Sequence, residues 1–134
     1  MSTQIFVNLP VQDLPRSKAF FGGLGFSFDD RFTDDNAACL VIGEGIFAML
    51  LVEPFFRQFT KKEVADATKT TEAIVCLGVE SRERVDELAD TALATGGHPS
   101  NEPMEQGPMY GRSFQDPDGH LWEVVYMDAA AFQV

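Results

Sequence analysis

Ile5-Phe-Val-Asn-Leu-Pro-Val-Gln-Asp13-Leu-Pro-Arg-Ser-Lys-Ala-Phe-Phe-Gly-Gly-Leu-Gly25 changes its hydrophobic period part-way, and that change decides the fold. Over the first half, Ile5, Val7, Leu9 and Val11 fall on one face and Phe6, Asn8 and Pro10 on the other, the period of two that defines a strand. Asp13 then has the side chain to cap a helix, and Pro15 fits the first turn, where its missing N–H has no partner to lose. Leu14, Phe20, Phe21 and Leu24 supply the apolar stripe, and Gly22, Gly23 and Gly25 close the helix. A strand leading directly into a capped helix is the start of a mixed α+β unit.

Outward from that stretch, Phe26–Phe32, Ala37–Ile42 and Ile46–Val52 read as strands, separated by Asp34-Asp35-Asn36 and Gly43-Glu44-Gly45 as turns. Residues 54–71 form a polar connector with little helical promise, densest at Lys61–Ala67. The order then repeats. Ala73–Val79 is a strand; Ser81 caps a helix whose Val85, Leu88, Ala89, Ala92 and Leu93 follow i, i+3, i+4, i+7, i+8 spacing. Gly96-Gly97 ends it. Extended runs follow near Met104 and over Tyr110–Gln115, and the Asp116-Pro-Asp-Gly119 turn leads into a strand over His120–Met127. Val11-Gln-Asp13 and Val79-Glu-Ser81 occupy equivalent points. The sequence therefore reads as a single α+β domain over 1–134, made of two βαβββ modules, 1–53 and 72–134, joined by the connector 54–71.

Composition limits the function. The 134 residues carry a formal charge of −11, with 10 Lys and Arg against 21 Asp and Glu. Nucleic acid and anionic membrane would both be repelled by such a field, so neither is expected as a partner. No apolar run approaches the roughly 20 residues that span a bilayer. The first residues lack the basic and apolar stretches of a secretory signal, and Cys39 and Cys76 have neither CxxC nor zinc-like spacing. They read as small hydrophobes of a reducing, cytoplasmic compartment. No Walker motif, dinucleotide fingerprint, HExxH or GxSxG is present.

Two motifs resemble a known superfamily. Phe6–Phe26 is similar to the opening of vicinal oxygen chelate proteins, among them glyoxalase I, bleomycin-resistance proteins, fosfomycin-resistance enzymes and extradiol dioxygenases. Phe114-Gln-Asp-Pro-Asp-Gly-His-Leu-Trp-Glu-Val-Val-Tyr126 is similar to their second hallmark. The resemblance implies two βαβββ modules forming a curled mixed sheet with a U-shaped cleft, and a homodimer. In metal-dependent members it implies one divalent ion held by His and Glu on the strands. Carried over residue by residue, the first ligand position falls on Phe6, the first-strand position of the second module on Ile74, and the strand Glu on Glu123. Glu53 lies near the place of a fourth. Phe and Ile cannot donate to an ion, and His98 and His120 stand at none of these positions. The expectation is no metal cofactor.

Each candidate has a functional and a structural reading. Strand alternation sets Glu123 opposite Trp122 and Val124; it is either a ligand-binding or catalytic acid/base carboxylate or a local hydrogen-bonding group, with Arg112 as one partner. Phe6 and Asn8 share the inward face of the first strand, a ring and an amide suited to an organic ligand; for Phe6 the alternative is plain packing. Asn8 needs a polar partner. Arg112 and Tyr110 could close one side of the site, Arg112 binding a carboxylate or pairing with one of the many acids. Cys76 shares the face of Ile74, with no base evident near it in sequence. His120 reads as a solvated turn residue. The 12 Phe default to core or dimer seam.

Two functions follow. One is a glyoxalase/bleomycin-resistance-like protein that binds a small organic ligand through Phe6, Asn8, Ile74, Arg112 and Glu123 without a metal, in the manner of bleomycin-resistance proteins, which sequester a cationic drug. The other is a lyase of the lactoylglutathione-lyase type, an isomerase or an extradiol-type dioxygenase, using a divalent metal and Glu123.

Overall fold

The computed structural model describes residues 3–128. They fall into two compact units, divided between Asp66 and Ala67.

The first unit contains β1 (Ile5–Val11), α1 (Leu14–Gly23), β2 (Ser27–Phe28), β3 (Ala37–Gly43) and β4 (Ile46–Val52). The sheet order is β1-β4-β3-β2, with β1 parallel to β4 and the other pairs antiparallel. Asp13 caps α1 as its side chain type dictates: Oδ1 accepts the Arg16 N–H at 3.1 Å, satisfying one of the helix's orphan donors. The helix buries Leu14, Ser17, Phe20 and Phe21. They meet the sheet face that carries Ala38, Leu40, Ala48 and Leu50, all fully buried. Each large side chain withdrawn here contributes about 1.5–3 kcal/mol, so this face is the unit's main source of stability.

Two expectations for this unit need correction. Phe26–Phe32 is not one strand. Only Ser27–Phe28 pairs with β3, and Asp30–Phe32 wind into a 3-10 turn. Asp29 is the cause. Its carboxylate accepts the Arg31 N–H at 3.0 Å and grips the guanidinium at 2.8 Å, a local bonding pattern that outcompetes a ladder. In the connector, the helical residues lie at its start and not in Lys61–Ala67: α2 (Glu53–Phe56) is followed by a 3-10 turn at Arg57–Phe59.

The second unit contains β5 (Ile74–Gly78), α3 (Arg82–Ala94), β6 (His98–Pro99), β7 (Met104–Gln106), β8 (Met109–Gln115) and β9 (Leu121–Met127). Its order is β5-β9-β8-β6, with β7 also pairing β8. β5 runs parallel to β9, as β1 does to β4. The repeat legible in the sequence is thus a repeat of topology. Ser81 Oγ accepts the Arg84 N–H at 3.0 Å and starts α3. Val85, Leu88, Ala89 and Ala92 then bury the stripe that the spacing requires. Gly97 lets the chain turn close beneath the helix end, since a Cβ there would stand 2.7 Å from the Ala92 oxygen and 2.8 Å from that of Gln115.

The Asp116-Pro-Asp-Gly turn is held by its first residue. The Asp116 carboxylate is buried. It accepts the N–H of Asp118 at 2.9 Å and of His120 at 3.0 Å on Oδ1, and the indole N–H of Trp122 at 3.0 Å on Oδ2. Burial pushes the Asp116 carboxyl up from its ordinary pKa, against the pull of His120 and of these donors. Trp122 can therefore lie 1% exposed beneath α3 with its one polar atom satisfied. The spacing of Asp, Gly, His and Trp in this motif is a packing solution.

Candidate functional site

With Trp122 and Val124 buried on the helix side of β9, alternation sends Glu123 to the opposite, open face. Pairing across the sheet then defines a row. Cys76 on β5 stands opposite Glu123, and Glu123 opposite Ser113 on β8. The next row is Gly78, Val125 and Gly111, and the row on the other side is Ile74, Leu121 and Gln115. Ile74 is 50% exposed, so this face is open at its β5 edge.

The Cys76 thiol stands beside the Glu123 carboxylate. Burial first, then the negative charge of Glu123 and its capacity to accept from the thiol, push the thiol's pKa up. Sequence inspection found no base near Cys76 because the partner is 47 positions downstream on the neighbouring strand. Ladder register brings the two together. Beside them lies a recess of about 80 Å³ bordered by Glu123, Ser113, Val125, Gly111 and Arg112, and on its outer side by Asn101, Glu102 and Met104. Gly111 helps keep it open: a Cβ there would stand 2.9 Å from Val125.

Arg112 stands apart from the others. Its neighbour in parity, Phe114, is buried, and the guanidinium lies on the same helix side of the sheet. It donates to Asp86 at 3.1 Å and Asp90 at 2.7 Å, both on α3. The Tyr110 hydroxyl donates to Asp86 at 2.5 Å. Arg82 completes this cluster, paired to Glu105 at 2.5 Å and lying 4.2 Å over the Tyr110 ring. The cluster ties α3 to β7 and β8.

In the first unit, Phe6, Asn8 and Pro10 face away from α1, as the alternation requires. Phe6 is 46% exposed and stacks on Phe47 of β4, centroids 4.7 Å apart with planes 11° from parallel. The amide of Asn8 donates to the Phe6 carbonyl at 3.1 Å, which supplies the polar partner that this residue needed. Glu53 opens α2 and pairs with Arg57 at 3.2 Å.

The internal repeat identifies a position that sequence reading missed. Asn8 pairs with Met49 as Cys76 pairs with Glu123. Met49 is therefore the first unit's counterpart of Glu123, and Glu53 lies beyond the strand. The positions at which the family resemblance places metal ligands thus hold Phe6, Met49, Ile74 and Glu123. That set offers one carboxylate, one soft thioether and two hydrocarbons, which does not fit zinc, nickel, manganese or iron in an oxygen and nitrogen site. Among the described residues, no three His, Cys, Asp or Glu cluster as a metal site. His98 lies on β6 opposite Gln115. His120 follows the Asp116 turn.

A family described as bleomycin resistance protein-like N-terminal matches residues 3–43. Over the whole architecture, a hypothetical protein, SA1046, from S. aureus is similar at 29% identity and TM-score 0.79, covering 94% of this chain and 95% of that one. A glyoxalase/bleomycin resistance protein/dioxygenase family enzyme from Burkholderia phytofirmans is similar at 17% identity and TM-score 0.77, covering 95% and 100%. The fold is the glyoxalase/bleomycin-resistance fold. A bleomycin resistance determinant encoded on transposon Tn5 shares this fold at 20% identity and TM-score 0.66, covering 95% of this chain and 99% of that one. No curated protein matches the sequence. These likenesses agree with the vicinal oxygen chelate superfamily that the two motifs resemble. Among the described residues, no helix is long and apolar enough to cross a membrane.

Proposed function

We propose that this chain is a metal-independent binding protein for a small organic ligand carrying a cationic or hydrogen-bond-donating group, received on the open face of the second sheet by Glu123. The observation that supports this reading most directly is the composition of that face. Glu123 is a carboxylate among Ile74, Leu121, Val125 and Met104, bordering a recess that a group of a few heavy atoms can enter. The neighbouring Glu102 adds a second negative charge. The guanidinium of Arg112, the nearest candidate to attract an anion instead, is held by Asp86 and Asp90 on the other side of the sheet. Phe6 stacked on Phe47 and the amide of Asn8 give the open face of the first sheet an aromatic and polar surface of the kind that planar ligands use.

The test is calorimetric titration with benzylamine, benzyl alcohol and benzoate, which share a ring and differ in charge. Benzylamine is expected to bind most tightly, and Glu123→Gln to weaken it by roughly tenfold, the size of one charge-assisted contact. Preference for benzoate, or an unchanged benzylamine affinity in the variant, sinks the proposal. Turnover of a ketoaldehyde–thiol adduct or of a catechol, lost in Glu123→Gln, would establish the enzymatic alternative in its place.

A further inference from the structure

The outer wall of the recess is a break in the sheet. Along β8, Phe114 pairs with Pro99 of β6, and Gly111 pairs with Met104 of β7. Between those pairs β8 has only Arg112 and Ser113, while the facing strand has Ser100, Asn101, Glu102 and Pro103. Four residues oppose two, so the facing strand must bulge outward, and the bulged residues Asn101 and Glu102 are the ones that border the recess. A bulge of this kind loses ladder bonds, and Pro103 has no N–H to offer.

Ser113 replaces part of what is lost. Its Oγ accepts the Asn101 N–H at 2.8 Å and donates to the Asn101 carbonyl at 3.3 Å. One hydroxyl thus serves both backbone groups of a residue that the ladder cannot reach. The flanking anchors are of a different sort: Gln115 Nε2 donates to the Pro99 carbonyl at 2.9 Å, and Glu105 of β7 is tied to Arg82. Those anchors and the ladders at 98–99 and 104–106 can stay intact while the bulge between them shifts. Ser113 also stands in the same cross-strand row as Glu123, so the group that holds the wall is next to the group assigned to the ligand.

We infer that residues 100–103 are an adjustable wall of the recess and that Ser113 is its latch, a positioning residue that sets the size of group admitted beside Glu123. The inference rests on the binding reading only for the ligand; the latch itself is a property of the free protein. With the latch closed, the recess keeps its small volume. Released, the bulge moves without unpairing either flanking ladder, and the recess accepts a bulkier substituent.

Amide hydrogen exchange, followed residue by residue in the full chain, tests the latch without any ligand. In Ser113→Ala the Asn101 amide is expected to exchange roughly tenfold faster, the size of one lost hydrogen bond. The amides of Phe114, Gln115 and β9 should keep their rates. Ser113→Thr, which retains the hydroxyl, should restore protection at Asn101. An unchanged Asn101 rate in Ser113→Ala overturns the inference. So does acceleration spread evenly over β8 and β9, which would make Ser113 an ordinary sheet residue. The size function is read with benzylamine and 4-phenylbenzylamine: the parent should favour the smaller amine, and Ser113→Ala should narrow the ratio by roughly threefold or more, within the effect of one or two methylene-sized contacts. An unchanged ratio removes the gating role. If neither amine binds the parent, the ligand class of the proposed function has failed, and the exchange result still decides the latch.

Discussion

Cys76 and Glu123 face each other across the parallel pair β5–β9, and the carboxylate of the one helps hold the thiol of the other above its ordinary pKa. The edge position makes Cys76 accessible, while burial and the neighbouring charge keep it protonated. Alkylation by iodoacetamide near pH 8 should therefore be slow for an exposed cysteine. Glu123→Gln removes the charge and should lower the thiol pKa, raising the rate by about three- to tenfold for a fall of half to one unit. Cys39 is 1% exposed and serves as the internal control. A rate that is unchanged or lower in the variant would show that the Glu123 charge does not act on the thiol.

Tyr110 and Asp86 shift one another in opposite directions. The Tyr110 hydroxyl is the main cause holding Asp86 below its ordinary value, and Asp86 is the main cause raising Tyr110 above its own. The sign is the same for stability at both ends. The contribution of Asp86 is complete above the ordinary carboxylate value near 3.8 and fades as pH falls through its lowered folded value. That of Tyr110 is complete below 10.0 and fades as pH rises through its raised value. Ultraviolet titration of the phenolate should place one tyrosine transition above pH 10, and Asp86→Asn should bring it down. Identical curves for parent and variant would rule the pair out.

Asp116 is the residue whose loss should cost most. Asp116→Ala would leave the buried indole N–H of Trp122 and two turn amides without their acceptor, at about 2–4 kcal/mol for such unsatisfied buried groups. Urea unfolding followed by the fluorescence of the single tryptophan measures this directly. A change below about 1 kcal/mol would mean that the turn holds without it.

Nickel, zinc, manganese and ferrous iron should show no stoichiometric binding when added at equimolar level to chelator-free protein, because Phe6, Met49 and Ile74 supply no hard donors. Tight one-to-one binding by calorimetry would refute the donor argument. The ligand search would then turn to metal-assisted chemistry.

Much of the fold could be read from residue types with local meaning. Asp13 and Ser81 cap the helices where expected, and the apolar spacing of Val85, Leu88, Ala89 and Ala92 marks the buried face of α3. The strand expected over Phe26–Phe32 failed because one side chain, Asp29, redirected the backbone after two ladder residues. The site was legible only in part. Alternation around Trp122 placed Glu123, and the same rule applied to buried Phe114 would have sent Arg112 to the helix side. Register is another matter. Which residue of β9 meets Cys76, and which of β4 meets Asn8, depends on pairing between distant strands, and no local pattern encodes it. The wall at 100–103 was hidden for the same reason, since a bulge exists only relative to the strand it faces.

The parallel pairing of first and last strands has a consequence for synthesis. In each unit the strand made first is joined to the one made last: β1 to β4, and β5 to β9. A nascent chain can close the first sheet once Val52 has cleared the ribosome. The second closes in the same way, because among the described residues β9 is both the ladder partner of β5 and the neighbour of β8, as β4 is of β1 and β3. Until Met127 emerges, β5 and α3 wait with their apolar faces uncovered. That interval, set by topology and not by local propensity, is when the chain is most exposed to chaperones and to mispairing.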